Sequence, residues 1–198
     1  MTLKNVGNTP ELNVNNHQFD VVPAVKFRSP SALDGNAINA LIKNSPPLDT
    51  NSAYCNLLQC SHFAETCVVA ESNNQILAWL SAYIPLEQQD HIFIWQVAVN
   101  SQARGKGLAK RLLATLLKRK ALAKVQYLIT TITEDNLASW SLFESFASAH
   151  QLNLTSTPHF EKDRHFQGAH ETEFLVKIGP FNTTEVYNNK GVQHVKKS

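Results

Sequence analysis

Cysteine is scarce in this chain of 198 residues, which has only Cys55, Cys60 and Cys67. Three is an odd number for a disulfide framework, and none of the spacings is the Cys-x-x-Cys of common zinc and redox motifs. Although His62 lies close by, a metal site there would have to join ligands from a helix and a strand. The scarcity therefore predicts buried, reduced thiols, no bound metal and a cytoplasmic location.

Neither an excess of one charge nor a long apolar run stands out in the composition. Charged residues make up 17% of the chain and the formal net charge is +2, so bulk electrostatics provide no attraction to nucleic acid or membrane. The sequence has no N-terminal segment of the signal-peptide type and no run long enough to span a bilayer. Hydrophobic residues, at 43%, suffice for one domain with its own core. We therefore expect a soluble globular protein without a nucleic acid or membrane partner.

Glycine is also rare, with 7 in the chain, yet two glycines stand close together in residues 102–107, QARGKG. The apolar run before them, residues 92–99, is rich in β-branched and aromatic side chains and predicts a buried strand. After them, leucines recur at helical spacing from Leu108 onwards, and the basic residues fall on the solvent-facing side. These basic residues are Lys110, Arg111, Lys118 and Arg119. The predicted order is therefore strand, glycine loop, helix.

Such a loop favours the binding of an anion. Gly105 and Gly107 allow the main chain to approach a ligand and to direct successive N–H groups at one point. The helix N-terminus contributes partial positive charge, and Arg104 and Lys106 contribute full charges. A dinucleotide-binding loop would need a third glycine, and a P-loop would need Ser or Thr after Gly-Lys. The stretch predicts a pyrophosphate site of another kind, with an ordinary glycine-rich turn as the alternative.

The pattern Gln-x-x-Gly-x-Gly after an apolar strand resembles motif A of the GNAT acetyltransferases, which hold the pyrophosphate of acetyl-CoA. The resemblance implies that acetyl-CoA is the co-substrate. It also implies that the end of the preceding strand parts from its neighbour and offers N–H groups to the pantetheine arm and to an oxyanion. The expected cofactor contacts are Val97, Ala98, Val99, Gln102, Arg104, Gly105, Lys106, Gly107, Leu108, Ala109 and Asn136. Asn136 is equally suited to be a plain helix cap.

Periodicity along the rest of the chain predicts a domain of residues 25–180 between disordered tails of residues 1–24 and 181–198. The first half should begin with a strand at residues 25–27 and a helix that starts at Ser29–Pro30 and ends at Pro46–Pro47, with Ile38, Leu41 and Ile42 on its apolar face. A second helix, capped by Asn51 or Ser52, should carry Tyr54, Leu57, Leu58 and Phe63. Strands at residues 66–70 and 76–84 should follow. The second half should begin with a strand at residues 125–133 and a helix capped by Asp135 or Asn136, which carries Leu142, Phe143, Phe146 and Ala149. A short strand at Leu152 and Leu154 and an exposed loop at residues 160–168 should come next. A strand at residues 174–178 should close the sheet.

This order of elements predicts an α+β protein with a mixed, mainly antiparallel sheet flanked by helices. A parallel crossover at its centre should contain the helix that follows the glycine loop. The same order is that of the GNAT fold, so the fold and the motif agree.

Further segments resemble the L-2,4-diaminobutyrate acetyltransferase family of ectoine biosynthesis. Spread over about residues 28–180, they are PPLDTNSAY at 46–54, CSHFAETCVVAE at 60–71, SAY at 81–83, WQVAV at 95–99, TT at 130–131, NLAS at 136–139 and HETE at 170–173. The resemblance implies transfer of an acetyl group from acetyl-CoA to the γ-amine of diaminobutyrate, which gives N-γ-acetyl-diaminobutyrate. It also implies a homodimer, which nothing in the periodicity indicates.

A diamine carries two ammonium groups at neutral pH, so its site needs acidic or aromatic side chains. The candidates for substrate binding are Asp49, Tyr54, Phe93 and Trp95. The attacking amine must also lose a proton, and Glu173 and His170, just before the last strand, are the candidates for this step, directly or through water. Other interpretations of these residues are a solvated loop at 170–173, a helix-start residue at Asp49 and a core side chain at Trp95.

Two questions remain open in the sequence. Many GNAT enzymes protonate the leaving thiolate with a tyrosine in the helix after the position of Asn136, but here that stretch reads Ser141-Leu142-Phe143, which leaves water or Tyr54. The acceptor could also be ornithine, a polyamine, an antibiotic or a protein N-terminus, or the chain could bind acyl-CoA without turnover. The stiff loop at residues 46–54 favours a closed pocket for a small molecule, and the acidic and histidine side chains favour catalysis.

Overall fold

A seven-stranded sheet organises residues 24–182, which are the part of the chain that the structure, a computed structural model, describes. Its strands are β1 (Lys26–Arg28), β2 (Val68–Ser72), β3 (Gln75–Tyr83), β4 (His91–Val99), β5 (Tyr127–Thr133), β6 (Leu154–Phe160) and β7 (Glu173–Ile178). The α-helices are α1 (Gly35–Lys43), α2 (Ala53–Ser61), α3 (Leu108–Leu117), α4 (Leu137–Ala149) and α5 (Lys162–Phe166). The strand order is β1-β2-β3-β4-β5-β7-β6, with β4 and β5 parallel and the other neighbours antiparallel. The predicted fold class, including the parallel crossover, is confirmed.

Helix α3 forms the crossover between β4 and β5 and packs on one face of the sheet. Its five leucines are at most 3% exposed, as their helical spacing predicts, and they contact the apolar side chains of α4 and the strands. The prediction for Arg119 was wrong, because its guanidinium is not on the solvent-facing side. It donates to the main-chain oxygens of Ala64 and Glu65, at 2.8 and 2.6 Å, and so ties the end of the helix to the segment before β2.

Helices α1 and α2 cover part of the opposite face, where Ile38 and Ile42 pack against Trp79 of β3. The predicted start of the first helix was two residues early. Ser31 caps a short 3-10 turn, Ala32–Asp34, that leads directly into α1; its N–H donates to the Asp34 carboxylate at 2.7 Å and so satisfies a group that a helix start leaves without a partner. Ser52, one of two predicted caps, caps α2 by accepting from the N–H of Cys55.

Helix α2 buries different residues from those that its apolar pattern predicts. Its buried side chains are Asn56, Gln59 and Cys60, whereas Tyr54 is 68% exposed, and Phe63 lies beyond the helix and is 40% exposed. Asn39 of α1 donates to Asn56, which in turn donates to the side-chain oxygen of Gln59, so each buried amide has a partner, although Gln59 Nε2 has none among residues 24–182. Polar partners between helices, rather than apolar periodicity, therefore decide which face turns inward.

The three cysteines are free. Cys60 and Cys67 are buried, and burial raises the pKa of both thiols to about 12, whereas Cys55 is half-buried. Among residues 24–182 no group of three or more His, Cys, Asp or Glu side chains is arranged to hold a metal ion. Within the same range, no helix is both long and apolar enough to cross a bilayer.

The C-terminal part of the fold departs from the predictions in three places. Strand β7 lies between β5 and β6, so the edge strand is β6 and not the last strand. The short helix α5 forms within the segment predicted to be a loop. Residue 149 is exposed on α4, and Ala147 is buried instead, because it faces the sheet together with Phe143 and Phe146.

Phe181 was assigned to the C-terminal tail by its sequence, but it belongs to the core. Its ring is 6% exposed and packs edge-on against Phe146, and its N–H donates to the main-chain oxygen of Gln126 at 2.8 Å. The predicted tails otherwise lie outside the described residues, apart from Ala24 and Asn182.

Replacing Phe181 by Ala should lower the free energy of unfolding by about 3 kcal/mol, since the change removes a buried ring and leaves a cavity. Urea denaturation of the full chain measures this difference. Leu86→Ala is the control: Leu86 is 90% exposed, so its loss should change stability by less than about 0.5 kcal/mol. Equal effects of the two substitutions would show that Phe181 is not part of the core.

Candidate active site

The sheet opens between its two parallel strands. Strands β4 and β5 pair only at His91↔Tyr127, Ile92↔Leu128 and Phe93↔Ile129. At the next position the Thr130 hydroxyl donates to the main-chain oxygen of Ile94 at 2.9 Å, in place of a ladder hydrogen bond. Beyond it the strands diverge, which confirms the predicted parting. Main-chain groups of β4 therefore face the space between the strands and can pair with a ligand.

A β-bulge in β4 lies at the same point. Opposite β3, Gln96 pairs with Ser81 and Ile94 pairs with Ala82, so Trp95 is the extra residue. The bulge reverses the alternation of side chains: Ile94 belongs to the core beneath α3, whereas Ala98 belongs to the core beneath α1 and α2. Trp95, at 44% exposure, is left at the edge of the opening.

A cavity of about 430 Å³ fills the opening. Four parts of the chain line it: residues from the loop before α2, the divergent ends of β4 and β5, the N-terminal part of α4, and the segment before β7. The residues predicted to act in the site that line this cavity are Asp49, Trp95, Val97, Asn136, His170 and Glu173. They are far apart in the sequence, and the fold brings them together.

His170 links two walls of the cavity. Its Nε2 lies 3.3 Å from the Asp49 carboxylate, and its Nδ1 lies 3.0 Å from the main-chain oxygen of Glu171. The hydrogen bond to the Glu171 carbonyl, with the nearby Asp49 and Glu173 carboxylates, raises the pKa of His170 despite its partial burial. A protonated His170 can donate through both ring nitrogens, so the raised pKa and the geometry agree.

Glu173, the first residue of β7, has a carboxyl group that is partly removed from water. This burial raises its pKa, while a hydrogen bond with Thr131 and the charge of His170 oppose the change. A carboxylate with a raised pKa is a better proton acceptor at neutral pH than an ordinary glutamate. Lys162 does not neutralise it, because its ammonium pairs with Glu171 at 2.6 Å.

The glycine loop continues from the end of β4 to α3. Gly105 and Gly107 have φ angles of +75° and +70°, a region that side chains with a Cβ rarely adopt, which explains the two glycines. The first intrahelical hydrogen bond of α3 runs from Arg111 N to Gly107 O, so the N–H groups in the first turn of the helix have no intrahelical partner and can bind a ligand. This arrangement fits a pyrophosphate.

Side chains around the glycine loop divide into two groups. Gln102, Arg104 and Lys106 are exposed and can reach a bound phosphate, and Arg104 Nε also contacts the Val99 carbonyl at 3.3 Å. Leu108 and Ala98 are buried, at 3% and 1% exposure, so only their main-chain atoms can contact a cofactor.

Asn136 is the N-cap of α4, and its side-chain oxygen accepts from the N–H of Ser139 at 3.2 Å. The cap alternative is therefore confirmed. Since Asn136 also lines the cavity and the cap uses the oxygen, its amide nitrogen is the end that can donate to a pantetheine arm. That contact stays a prediction.

Two of the predicted substrate contacts do not line the cavity. Tyr54 projects from the first turn of α2 into solvent. Phe93 precedes the bulge, and its ring packs against Tyr83 at 5.2 Å between centroids. Their roles as substrate contacts therefore stay predictions that the shape of the cavity does not support.

Sequence reasoning missed Gln96 and Thr131, which line the cavity. Both lie inside segments that carry the family resemblance, and that position is the signal that could have singled them out. No alternation pattern marks Gln96, because the bulge changes the side of the sheet on which it lies. Near the expected position of the thiolate, Ser139 and Phe143 line the wall, where many GNAT enzymes have a tyrosine.

Residues 38–147 match the model of the acetyltransferase (GNAT) family. The chain is 44% identical to the L-2,4-diaminobutyric acid acetyltransferase of Methylotuvimicrobium alcaliphilum, over 83% of this chain and 95% of that protein. It is 47% identical to the enzyme of the same name from Vibrio cholerae, over 77% and 88%.

Solved structures match the fold. The diaminobutyrate acetyltransferase EctA from Paenibacillus lautus, in complex with L-2,4-diaminobutyric acid and coenzyme A, has a TM-score of 0.78 and 36% identity, over 81% of this chain and 98% of that one. Ard1 from Thermoplasma volcanium, at 13% identity and a TM-score of 0.62, shares the fold alone.

If Arg104 and Lys106 bind the phosphates of the co-substrate, Arg104→Ala and Lys106→Ala should weaken coenzyme A binding several-fold at 20 mM salt and much less at 500 mM. The reason is that screening already reduces exposed charge interactions at high salt. Titration calorimetry at both salt concentrations measures the change. Lys124→Ala, an exposed lysine outside the loop, is the control and should have no effect. Equal losses at both concentrations would exclude the phosphate assignment.

Proposed function

Because this chain belongs to the GNAT acetyltransferases, and within them to the diaminobutyrate acetyltransferase family, we infer that it transfers an acetyl group from acetyl-CoA to the γ-amine of L-2,4-diaminobutyrate. The product is N-γ-acetyl-diaminobutyrate. The observation that carries this function is the cavity between the diverging strands, because it joins main-chain groups of β4 to a cluster of acidic and histidine side chains.

The co-substrate supplies a thioester, and the chain's own groups can hold each part of it. The N-terminus of α3 and the glycine loop suit the pyrophosphate, and the diverging end of β4 suits the amide groups of pantetheine, in the manner of an added strand. The N–H groups of the same strand end suit the oxyanion that forms when an amine attacks the thioester. Asn136 can donate to the pantetheine arm from the opposite wall.

A diamine fits the charge of the remaining walls. Asp49 offers a carboxylate to one ammonium group, and Trp95 offers an aromatic face to a cation. Glu173, whose pKa is raised by burial, is suited to take the proton from the γ-amine. We propose that His170, held between Asp49 and the Glu171 carbonyl, orients this acceptor or relays the proton through water.

We further propose that the enzyme works as a homodimer in the cytoplasm and supplies a precursor of the compatible solute ectoine. An aromatic row supports association: Phe63, Tyr83, Phe93 and Trp95 lie on one face, with neighbouring ring centroids 5.2–6.4 Å apart. Phe63 and Trp95 are 40% and 44% exposed, so the aromatic row leaves adjoining apolar surface that a second copy of the chain could cover. Light scattering on the purified chain tests the dimer, and a monomer at micromolar concentration would exclude it.

Thiol release from acetyl-CoA across a panel of amines tests the activity. We expect diaminobutyrate to give the highest kcat/KM, ornithine a value about 10- to 200-fold lower, and polyamines and a peptide N-terminus little release. If the chain binds coenzyme A but no amine causes thiol release, the remaining interpretation is a protein that senses acyl-CoA without turnover. Faster release with another amine would reassign the substrate.

Glu173→Gln should lower kcat by about 10²-fold or more at pH 7, since general-base catalysis contributes this much. Part of the loss should be recovered between pH 7 and 9, because more of the amine is then already neutral. In the unsubstituted enzyme the raised pKa of Glu173 predicts a loss on the acid side of the pH–activity profile. Activity should fall as the pH drops through that pKa, because the carboxyl group becomes protonated.

Steady-state rates between pH 4 and 9 measure both effects, with Glu144→Gln on the exposed side of α4 as the matched control. A Glu173→Gln variant that raises KM but keeps kcat would assign Glu173 to substrate binding alone. Unchanged kcat and KM would remove it from the site.

A further inference from the structure

Gln96 has a buried side chain, and both of its polar ends are engaged by the loop that carries Asp49. Its Nε2 donates to the main-chain oxygen of Asp49 at 2.8 Å, and its Oε1 accepts from Asn51 Nδ2 at 3.1 Å. The residue is 7% exposed. One side chain thus fixes two residues of the loop on strand β4.

The bulge in β4 puts Gln96 in this position. In a regular strand without the bulge, residues 94 and 96 would share one side, and Gln96 would lie in the core beneath α3 together with Ile94. With the bulge, it lies on the side of α1 and α2, from which the loop emerges. The irregularity at the point where the sheet opens therefore also creates the attachment of the loop.

The attachment joins the two ends of the reaction site. Trp95 and Val97, the neighbours of Gln96, line the cavity on the strand that holds the acetyl donor. Asp49 stands on the loop opposite, with its carboxylate 3.3 Å from His170. The distance between the anchor for the substrate's ammonium and the acetyl group is thus set through Gln96.

The loop has other supports, so losing this attachment should loosen Asp49 without unfolding the region. Asn39 donates to the main-chain oxygen of Asn51 at 2.9 Å and to Asn56 at 2.8 Å, from within α1. These bonds hold the end of the loop near α2, whereas the main-chain oxygen of Asp49 is bonded to Gln96.

We propose that Gln96 is a positioning residue that sets the length of the diamine the enzyme accepts, by fixing the distance from Asp49 to strand β4. The inference rests on the proposed function. With Asp49 held in place, we expect a four-carbon diamine to reach the thioester and ornithine, with one more methylene, to fit less well. If the loop no longer fixes Asp49, the enzyme should bind both diamines less tightly and distinguish between them less.

The test is thiol release with diaminobutyrate and with ornithine, for the unsubstituted enzyme and for Gln96→Met, which keeps the length of the side chain and removes both hydrogen bonds. We expect KM for diaminobutyrate to rise about tenfold with kcat within threefold. The selectivity, the ratio of the two kcat/KM values, should fall at least fivefold. Coenzyme A affinity should stay within twofold, since the glycine loop does not contact Gln96.

Two further variants separate positioning from general damage. Asn51→Ala removes one of the two bonds without altering β4, so it should lower selectivity in the same direction and by less. Gln59→Met removes another buried amide, 1% exposed, that does not contact the loop, so it should leave the selectivity unchanged even if the protein is less stable.

Selectivity within twofold of the original in Gln96→Met, or in Asn51→Ala if Gln96→Met does not fold, would overturn the inference and leave the proposed function intact. An equal fall in selectivity in Gln59→Met would assign the effect to the helix layer and overturn it as well. Failure of the unsubstituted enzyme to acetylate diaminobutyrate would overturn the proposed function and this inference together.

Discussion

The hydrogen bond from the Thr130 hydroxyl to the Ile94 carbonyl marks the point where β4 and β5 stop pairing, and the site depends on what happens there. A parallel pair normally continues its ladder and closes the sheet. Here a side chain replaces the ladder, and the bulge at Trp95 turns the strand. The opening exposes main-chain groups of β4, and these are the groups that an acyl donor and an oxyanion require.

Polar groups, rather than apolar ones, connect this opening to the helices on the opposite face. Hydrogen bonds of 2.8–3.1 Å lead from β4 into the layer of α1 and α2. The Asn51 side chain donates to Gln96, the Asn39 side chain donates to the main-chain oxygen of Asn51 and to Asn56, and Asn56 donates to Gln59. Buried amides are costly unless they have partners, so the bonds that Gln96 and Asn39 make to the loop favour one arrangement of it over others. A rigid loop is suited to an enzyme that must distinguish small substrates by their length.

The electrostatics of the cavity follow from its position between solvent and core. Asp49 is mostly exposed, whereas Glu173 is partly buried, and His170 lies close to both. Burial raises the pKa of the Glu173 carboxyl group, whereas the Asp49 carboxylate is open to water and lies beside His170. One carboxylate is therefore suited to hold a cation and the other to accept a proton.

By itself, the sequence determined the order of the elements, the parallel crossover and the glycine loop, because these depend on local periodicity and on the backbone freedom of Gly105 and Gly107. It also singled out Asp49, His170 and Glu173, through the resemblance of short segments to a family. Only the tertiary structure decided the inward face of α2, the place of Phe181 in the core, the edge position of β6 and the role of Gln96. Each of these depends on a partner distant in the chain: Asn39 for the buried amides, Phe146 for Phe181, β7 for β6, and the register of β3 for the bulge that turns Gln96. Local patterns report how a residue relates to its neighbours in sequence, whereas hydrogen bonds and packing between distant segments decide where it finally lies.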